Sequence, residues 1–254
     1  MESIMIQTSR ILLKRFAPAP FAQTNGEKLL EHRAAARTFT LFDLAIGIGI
    51  LSDLVLSFID ITTHWWYVGA IEVVLSLYLL ALLSLSAMRP LVGRLLLAGF
   101  IAGVCELFTD ASGQYVVHSL VYPVGEPMLW TSPLYMPLSW MVILTYLGYI
   151  AWRLRAVVGL RKAMLISGLL GAVQIPLYEE LAYYGRWWYY KPTHLMLGHT
   201  PLYVLLFEGL IVAALPLLYD RIERRAWSQV ALIGVVVGAW MPCAALFSWL
   251  LLGL

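Results

Sequence analysis

The sequence predicts an all-α fold: a polytopic helical bundle integral to a membrane, with about seven transmembrane helices and a cytoplasmic amino terminus. Three observations predict it. The chain is 61% hydrophobic and 13% charged, with a mean hydropathy of +0.80, whereas a soluble domain carries about 25% charged residues. Apolar stretches close to the ~20 residues that cross a bilayer recur along its length. Of the 17 Lys and Arg residues, all but Arg186 and Lys191 fall on one side of the topology those stretches define.

Taken in order, residues 1–37 form a basic amino-terminal segment with Arg10, Lys14, Arg15, Lys28, Arg33 and Arg37 and no apolar run long enough to span. Its stretch Ile4–Phe16 has the makings of an amphipathic helix on a membrane surface, with a mobile tail as the alternative, and is too charged for the apolar core of a secretory signal. Residues 38–254 form the seven-helix domain, with spans expected at Thr38–Asp60, Trp66–Met88, Leu91–Ser112, Leu134–Trp152, Lys162–Tyr184, Pro201–Tyr219 and Gln229–Leu252. Arg89-Pro90 is read as a short turn between the second and third. Arg89 and Arg94, then Arg153, Arg155, Arg161 and Lys162, then Arg221, Arg224 and Arg225 join the amino-terminal cations on the cytoplasmic side, as the positive-inside rule requires. An extra or missing span would destroy that asymmetry. With the basic residues committed to topology, no basic patch is left for nucleic acid. Cys105 and Cys243 lie in apolar segments and read as small buried hydrophobes. The expected location is a bacterial cell membrane or its equivalent.

The 15 acidic residues are the most informative feature. Asp53, Glu72, Glu106, Glu179, Glu180 and Glu208 lie on five different spans at similar distances from the outer boundary, roughly 6–12 Å at 1.5 Å per residue. Asp110 follows Glu106 by one turn, and Asp60 and Glu126 mark the outer rim. An ionisable group inside a span is costly and is a functional candidate by default. Hydrogen-bonded structural pairs are the bland alternative. It is weaker for the whole set, because Arg186 and Lys191 are the only cations on that side, so several carboxyls are expected to be neutral or to share protons. A carboxylic acid that keeps its proton is what a general acid needs. Many aromatic residues concentrate at the same level. An interfacial belt accounts for part of them, and the rest can line a cavity whose ring faces stabilise a cation. Trp140, Tyr115, Tyr135, Trp187, Tyr203 and Tyr178 are the substrate-binding candidates. His64, His118, His194 and His199 share this side but lack a paired ligand spacing, so no metal is expected; His194 and His199 read as a solvated or headgroup-contacting loop pair.

Two segments read alike. Glu106, Asp110, Gly113 and Tyr115 lead to Ser132-Pro133-Leu134-Tyr135 and Trp140. Glu179, Glu180, Gly185, Trp187 and Tyr189 lead to Thr200-Pro201-Leu202-Tyr203 and Glu208. Both start inside and run outward, so they look like parallel repeats with a site between them. Phe100–Trp140, with Glu106, Gly113, Tyr115 and the Pro133-x-x-x-Pro137-x-x-Trp140 spacing, resembles the carotenoid hydratases. Gly185-x-Trp187-x-Tyr189 resembles the heterodimer-type lycopene cyclases, whose Pro-x-Glu-Glu is here one residue longer, Pro176-Leu177-Tyr178-Glu179-Glu180. The seven-span layout with acids in the spans also resembles the membrane terpene cyclases of meroterpenoid pathways.

These resemblances imply a cofactor-independent membrane enzyme of terpenoid metabolism, acting on a lipophilic isoprenoid by acid-initiated, non-redox cyclisation or hydration. Glu106 and Glu208 are expected as principal acids, facing each other across the repeat interface, with Asp110, Glu180, Glu72 and Asp53 as accepting or orienting partners. The rival reading is a proton-coupled transporter or lipid-binding protein, which should carry acids reachable from both faces. Apart from Asp43, the inner half of the spans is nearly acid-free.

Overall fold

The computed structural model describes residues 41–63, 68–85, 89–123 and 125–253. The amino-terminal segment, with its candidate amphipathic helix, lies outside them. Seven α-helices are found among the described residues: α1 (Leu41–Thr63), α2 (Val68–Leu85), α3 (Arg89–Tyr115), α4 (Met136–Val158), α5 (Leu160–Gly185), α6 (Leu202–Leu218) and α7 (Trp227–Leu252). Five of them are long and apolar enough to cross a membrane, while Val68–Leu82 of α2 and all of α6 are shorter apolar helices. Large apolar side chains are exposed all round the bundle, among them Leu51, Leu77, Leu165, Val173 and Leu232. Helices apolar on every face need an apolar solvent as well as an apolar core.

Local chemistry sets the helix ends. Arg89-Pro90, expected as a turn, instead opens the first turn of α3, where proline's missing N–H costs no helical bond. Pro137 plays the same part in α4. A single residue, Gly159, separates α4 from α5 with φ +80°, a conformation that glycine alone enters cheaply. Arg186 caps α5 in the left-handed region, its N–H bonding the carbonyls of Ala182 and Tyr183, which satisfies orphan acceptors of the last turn.

Close helix contacts depend on glycine. A methyl group on Gly103 of α3 would fall 2.5 Å from the Pro137 carbonyl of α4, and one on Gly171 of α5 would fall 2.9 Å from the Glu208 carbonyl of α6. Gly234 and Gly238 bring α7 close to α3, against Ala98, Ala102 and Cys105. Gly47 faces open space. The main core runs through the bundle from Phe42 and Ile71 to Leu144, Ile211 and Met241, and a smaller cluster around Leu107, Leu120, Met136, Leu181 and Trp188 closes one end.

That end carries six two-residue strands, an addition to the all-helical expectation. β2 (Met128–Leu129) pairs with β3 (Ser132–Pro133), and β5 (Met196–Leu197) pairs with β6 (Thr200–Pro201), in the same register. β1 (Leu120–Val121) pairs antiparallel with β4 (Tyr189–Tyr190). The repeat is therefore structural: helix, strand, hairpin, helix occurs twice. Left-handed residues recur at corresponding points, His118 with Arg186 and Trp130 with Gly198. The opposite end holds the basic residues. There Arg153 meets Asp43 at 2.6 Å, Tyr149 donates to the same carboxylate at 2.6 Å, and Arg155 meets Asp220 at 2.8 Å.

Candidate active site

Between the two copies, near the hairpin end, lies a cavity of about 110 Å³ bounded by α3, α4, α5 and α6, with α7 at its edge. Four carboxyls line it: Glu106 and Asp110 from α3, Glu179 from α5 and Glu208 from α6, all buried. No lysine, arginine or histidine is among the lining residues. Glu106 and Asp110, one turn apart, lie within hydrogen-bonding reach of each other, and Glu208 is close enough to act on Glu106 through space. Oε2 of Glu106 is buried without a hydrogen-bond donor among the described residues.

Neutral donors hold two of the other acids. The Tyr122 hydroxyl donates to Asp110 Oδ2 at 2.5 Å, and the Trp188 indole N–H donates to Glu179 Oε2 at 2.8 Å. Burial, and then the adjacent Asp110 carboxyl, pushes the Tyr122 phenol well above its ordinary range. Burial followed by Glu179 does the same for Tyr190. Both hydroxyls therefore remain protonated donors.

Much of the remaining wall is aromatic, Trp140, Tyr178, Trp188, Tyr190, Tyr203 and Phe207 joining Tyr122, and aliphatic side chains supply most of the rest. Tyr178 and Trp188 lie 5.8 Å apart, Tyr122 and Trp188 6.3 Å, and Tyr190 packs edge-on against Tyr203 at 6.4 Å. Ser119 and Tyr203 share a buried hydroxyl–hydroxyl bond of 2.6 Å, which fixes the Tyr203 ring. Chemically the chamber offers proton donors and acceptors beside π-faces that stabilise positive charge.

Several expected residues are elsewhere. Glu180 turns away from the cavity to the rim, where His199 donates its backbone N–H at 2.8 Å and brings Nδ1 to 2.8 Å. His199 also stacks on Tyr183 at 3.5 Å, so it is a packed rim residue and not half of a solvated pair with His194. Consecutive residues on a helix point about 100° apart, so the inward-facing acid is Glu179. Its face was readable in the spacing of small and apolar residues, since Ala163, Ser167, Gly171, Ile175 and Glu179 are all buried. Glu72 and Asp53 form a second group behind the chamber wall. Ser139, which lines the cavity, donates to Glu72 Oε1 at 3.2 Å, and the Glu72 and Asp53 carboxyls feel each other's charge.

Tyr115 is 63% exposed on the outside of α3 and is not among the residues that line the cavity. Trp187 is buried, but its indole bonds Asp60 at 2.6 Å, outside the chamber. Tyr135 packs over Gly69 of α2. Trp140, Tyr178 and Tyr203 do line the cavity, and so do Tyr122, Trp188 and Tyr190, which are not among the substrate-binding candidates named from the sequence.

Fold and site together define a class: a helical bundle with an apolar exterior, in which two like helix–strand–hairpin–helix units enclose an aromatic chamber of carboxyls. Residues 107–252 match the family described as a domain of unknown function, DUF6989, and the chain belongs to that family. No curated protein and no solved structure matches the chain.

Proposed function

We propose that this protein is a seven-span integral membrane enzyme of terpenoid metabolism, which starts a non-redox cyclisation or hydration of an isoprenoid by proton transfer from Glu106. The observation that carries the reading is the Glu106 oxygen without a donor, buried in a chamber that supplies aromatic faces and second carboxyls but no cation. The segregation of Lys and Arg supports a cytoplasmic amino terminus and a chamber in the extracytoplasmic half.

In the first step the Glu106 proton adds to the terminal alkene, whose π-electrons form the new C–H bond and leave a tertiary cation. The faces of Trp140, Tyr178, Trp188 and Tyr203 lower the energy of that cation. An internal double bond or water then traps it, and a second carboxylate, Glu208 or Glu179, takes up the departing proton. Asp110, held by Tyr122, orients Glu106, and the proton taken up by the second carboxylate returns to Glu106 to close the cycle. A proton-coupled transporter is favoured less, because Asp43, near the opposite end, is tied to Arg153 and Tyr149.

The test is turnover of polyprenyl lipids by the purified protein in vesicles. Glu106→Gln and Glu208→Gln keep shape and remove the acid, and each should lower turnover by about 10²–10⁴-fold, the scale of general acid–base catalysis. Turnover at the wild-type rate in both folded variants would refute the assignment.

A further inference from the structure

We infer that the chamber opens sideways, between the outer ends of α3 and α7, and that an isoprenoid chain enters it there from the lipid phase. This rests on the membrane reading above and extends it to the route and shape of the substrate. Toward the basic end, α3 and α7 are sealed: a methyl on Gly234 would fall 2.8 Å from the Ala98 carbonyl, and Gly238 abuts Cys105 and Ala102. Pro242, which has no N–H for the carbonyl of Gly238, follows one turn on. Beyond it the helices flank the cavity, and two of its lining residues reach the surface: Val116 at the end of α3 is 57% exposed and Leu246 of α7 is 47% exposed. Exposed Phe108, Phe247 and Leu250 lie on the same two helix ends, so the flanking surface is apolar.

Volume gives the second argument. A cavity of about 110 Å³ is somewhat smaller than the ~150 Å³ pocket that admits one benzene. It has room for about one five-carbon isoprene unit. A longer polyprenyl chain can place only its reacting end beside Glu106, and the rest must lie in an opening. A neighbouring cleft, lined by His118, Lys191, His194 and Trp249 among others, also touches Val117, but Lys191 and two histidines stand in it, and the Ser119–Tyr203 bond lies in the wall between it and the chamber. An apolar chain would have to shed that bond to pass. The substrate class is thus a linear isoprenoid threaded end-first through the Val116–Leu246 opening, not a compact polycycle delivered from water.

Carbodiimide labelling tests the route without turnover. A protonated carboxyl adds across the carbodiimide C=N bond, its proton going to nitrogen and its oxygen to carbon, and rearranges to a stable N-acylurea that mass spectrometry locates. In wild-type protein in phosphatidylcholine vesicles, lipid-soluble N,N′-dicyclohexylcarbodiimide should label the Glu106 or Glu208 peptide, and a water-soluble carbodiimide should not. Leu246→Trp and Val116→Trp, which plug the opening from independent helices, should each slow labelling several-fold. His194→Trp, in the neighbouring cleft, should leave it unchanged, and Leu246→Ala should label at least as fast as wild type. Wild-type rates in both plug variants, slowing in His194→Trp instead, equal labelling by the water-soluble reagent, or no labelling of wild type would each overturn the inference. An intact labelling pattern with no isoprenoid turnover would sink the proposed reaction and leave the opening standing.

Discussion

Val121 in β1 pairs antiparallel with Tyr189 in β4, the residue that holds its own place in the second copy of the repeat. When a residue pairs with its counterpart in an antiparallel ladder, a local two-fold axis runs between them. In the register of the repeat Tyr122 corresponds to Tyr190 and Tyr135 to Tyr203, and the chamber lies between the two units. The units are alike in backbone and unlike in chemistry. Asp110 of the first corresponds to Tyr178 of the second, and Trp140 of the first to Glu208 of the second.

That inequality makes a prediction. Tyr122 donates to Asp110, whereas Tyr190 packs against Tyr203 with no hydrogen bond of its own hydroxyl among those seen. Tyr122→Phe should therefore lower turnover by about tenfold or more, since a charge-assisted bond is worth about 1.5–3 kcal/mol, while Tyr190→Phe should cost little. Equal losses in the two variants would show that the Asp110 bond has no special part.

The two adjacent indoles separate activity from stability. Trp188→Phe removes the donor to Glu179 inside the chamber, and Trp187→Phe removes a donor to Asp60 outside it. Each should cost about 1 kcal/mol of stability. Only Trp188→Phe should also change kcat. A kcat loss in Trp187→Phe with kcat retained in Trp188→Phe would contradict the chamber boundary drawn here.

Much of this was legible in the chain. Seven apolar stretches became seven helices within a few residues at most ends, because apolar length and terminal prolines are local properties. That Glu106 and Glu208 reach one level of the bundle was legible for the same reason, since level follows from position along a helix. Facing was harder. The choice of Glu179 over Glu180 turns on a rotation of about 100°, and only the spacing of Gly171 and Ile175 along one face records it. Tyr115 and Trp187 sit beside loops whose paths depend on the β1–β4 pairing between distant segments, and no pattern local to either announces that pairing. The repeat was seen through Pro133-Leu134-Tyr135 and Pro201-Leu202-Tyr203. Its extension to Met128-Leu129 and Met196-Leu197, and to Tyr122 and Tyr190, needed the common hairpin register to stand out.

Helix packing against the chamber is testable at Gly103. Its hydrogen points at the Pro137 carbonyl, so Gly103→Leu must push α4 away from α3. Overpacking of this kind costs about 1–3 kcal/mol, and because Trp140 lies one turn beyond Pro137, the chamber should deform as well. The expected result is a lower melting temperature in detergent together with reduced turnover. The same change at Gly47, which faces open space, should alter neither.

Alkaline pH should unfold the hairpin end through its buried phenols. Burial raises Tyr122, Tyr135 and Tyr190 above the ordinary phenol value of 10.0, and Glu126 adds to the effect at Tyr135. A phenol raised in the folded state is neutral there when its unfolded counterpart already ionises. The stability it contributes is thus complete below pH 10.0 and is lost as pH climbs from there toward the folded value. Each such phenol steepens the loss by up to about 1.4 kcal/mol per pH unit. Melting temperature measured from pH 8 to pH 12 should stay level to about pH 10 and then fall. Tyr190→Phe, which keeps the ring and removes the proton, should make that fall shallower. A slope unchanged by Tyr190→Phe would mean that this hydroxyl meets solvent when folded, and that the chamber is wetter on the β4 side than its lining implies.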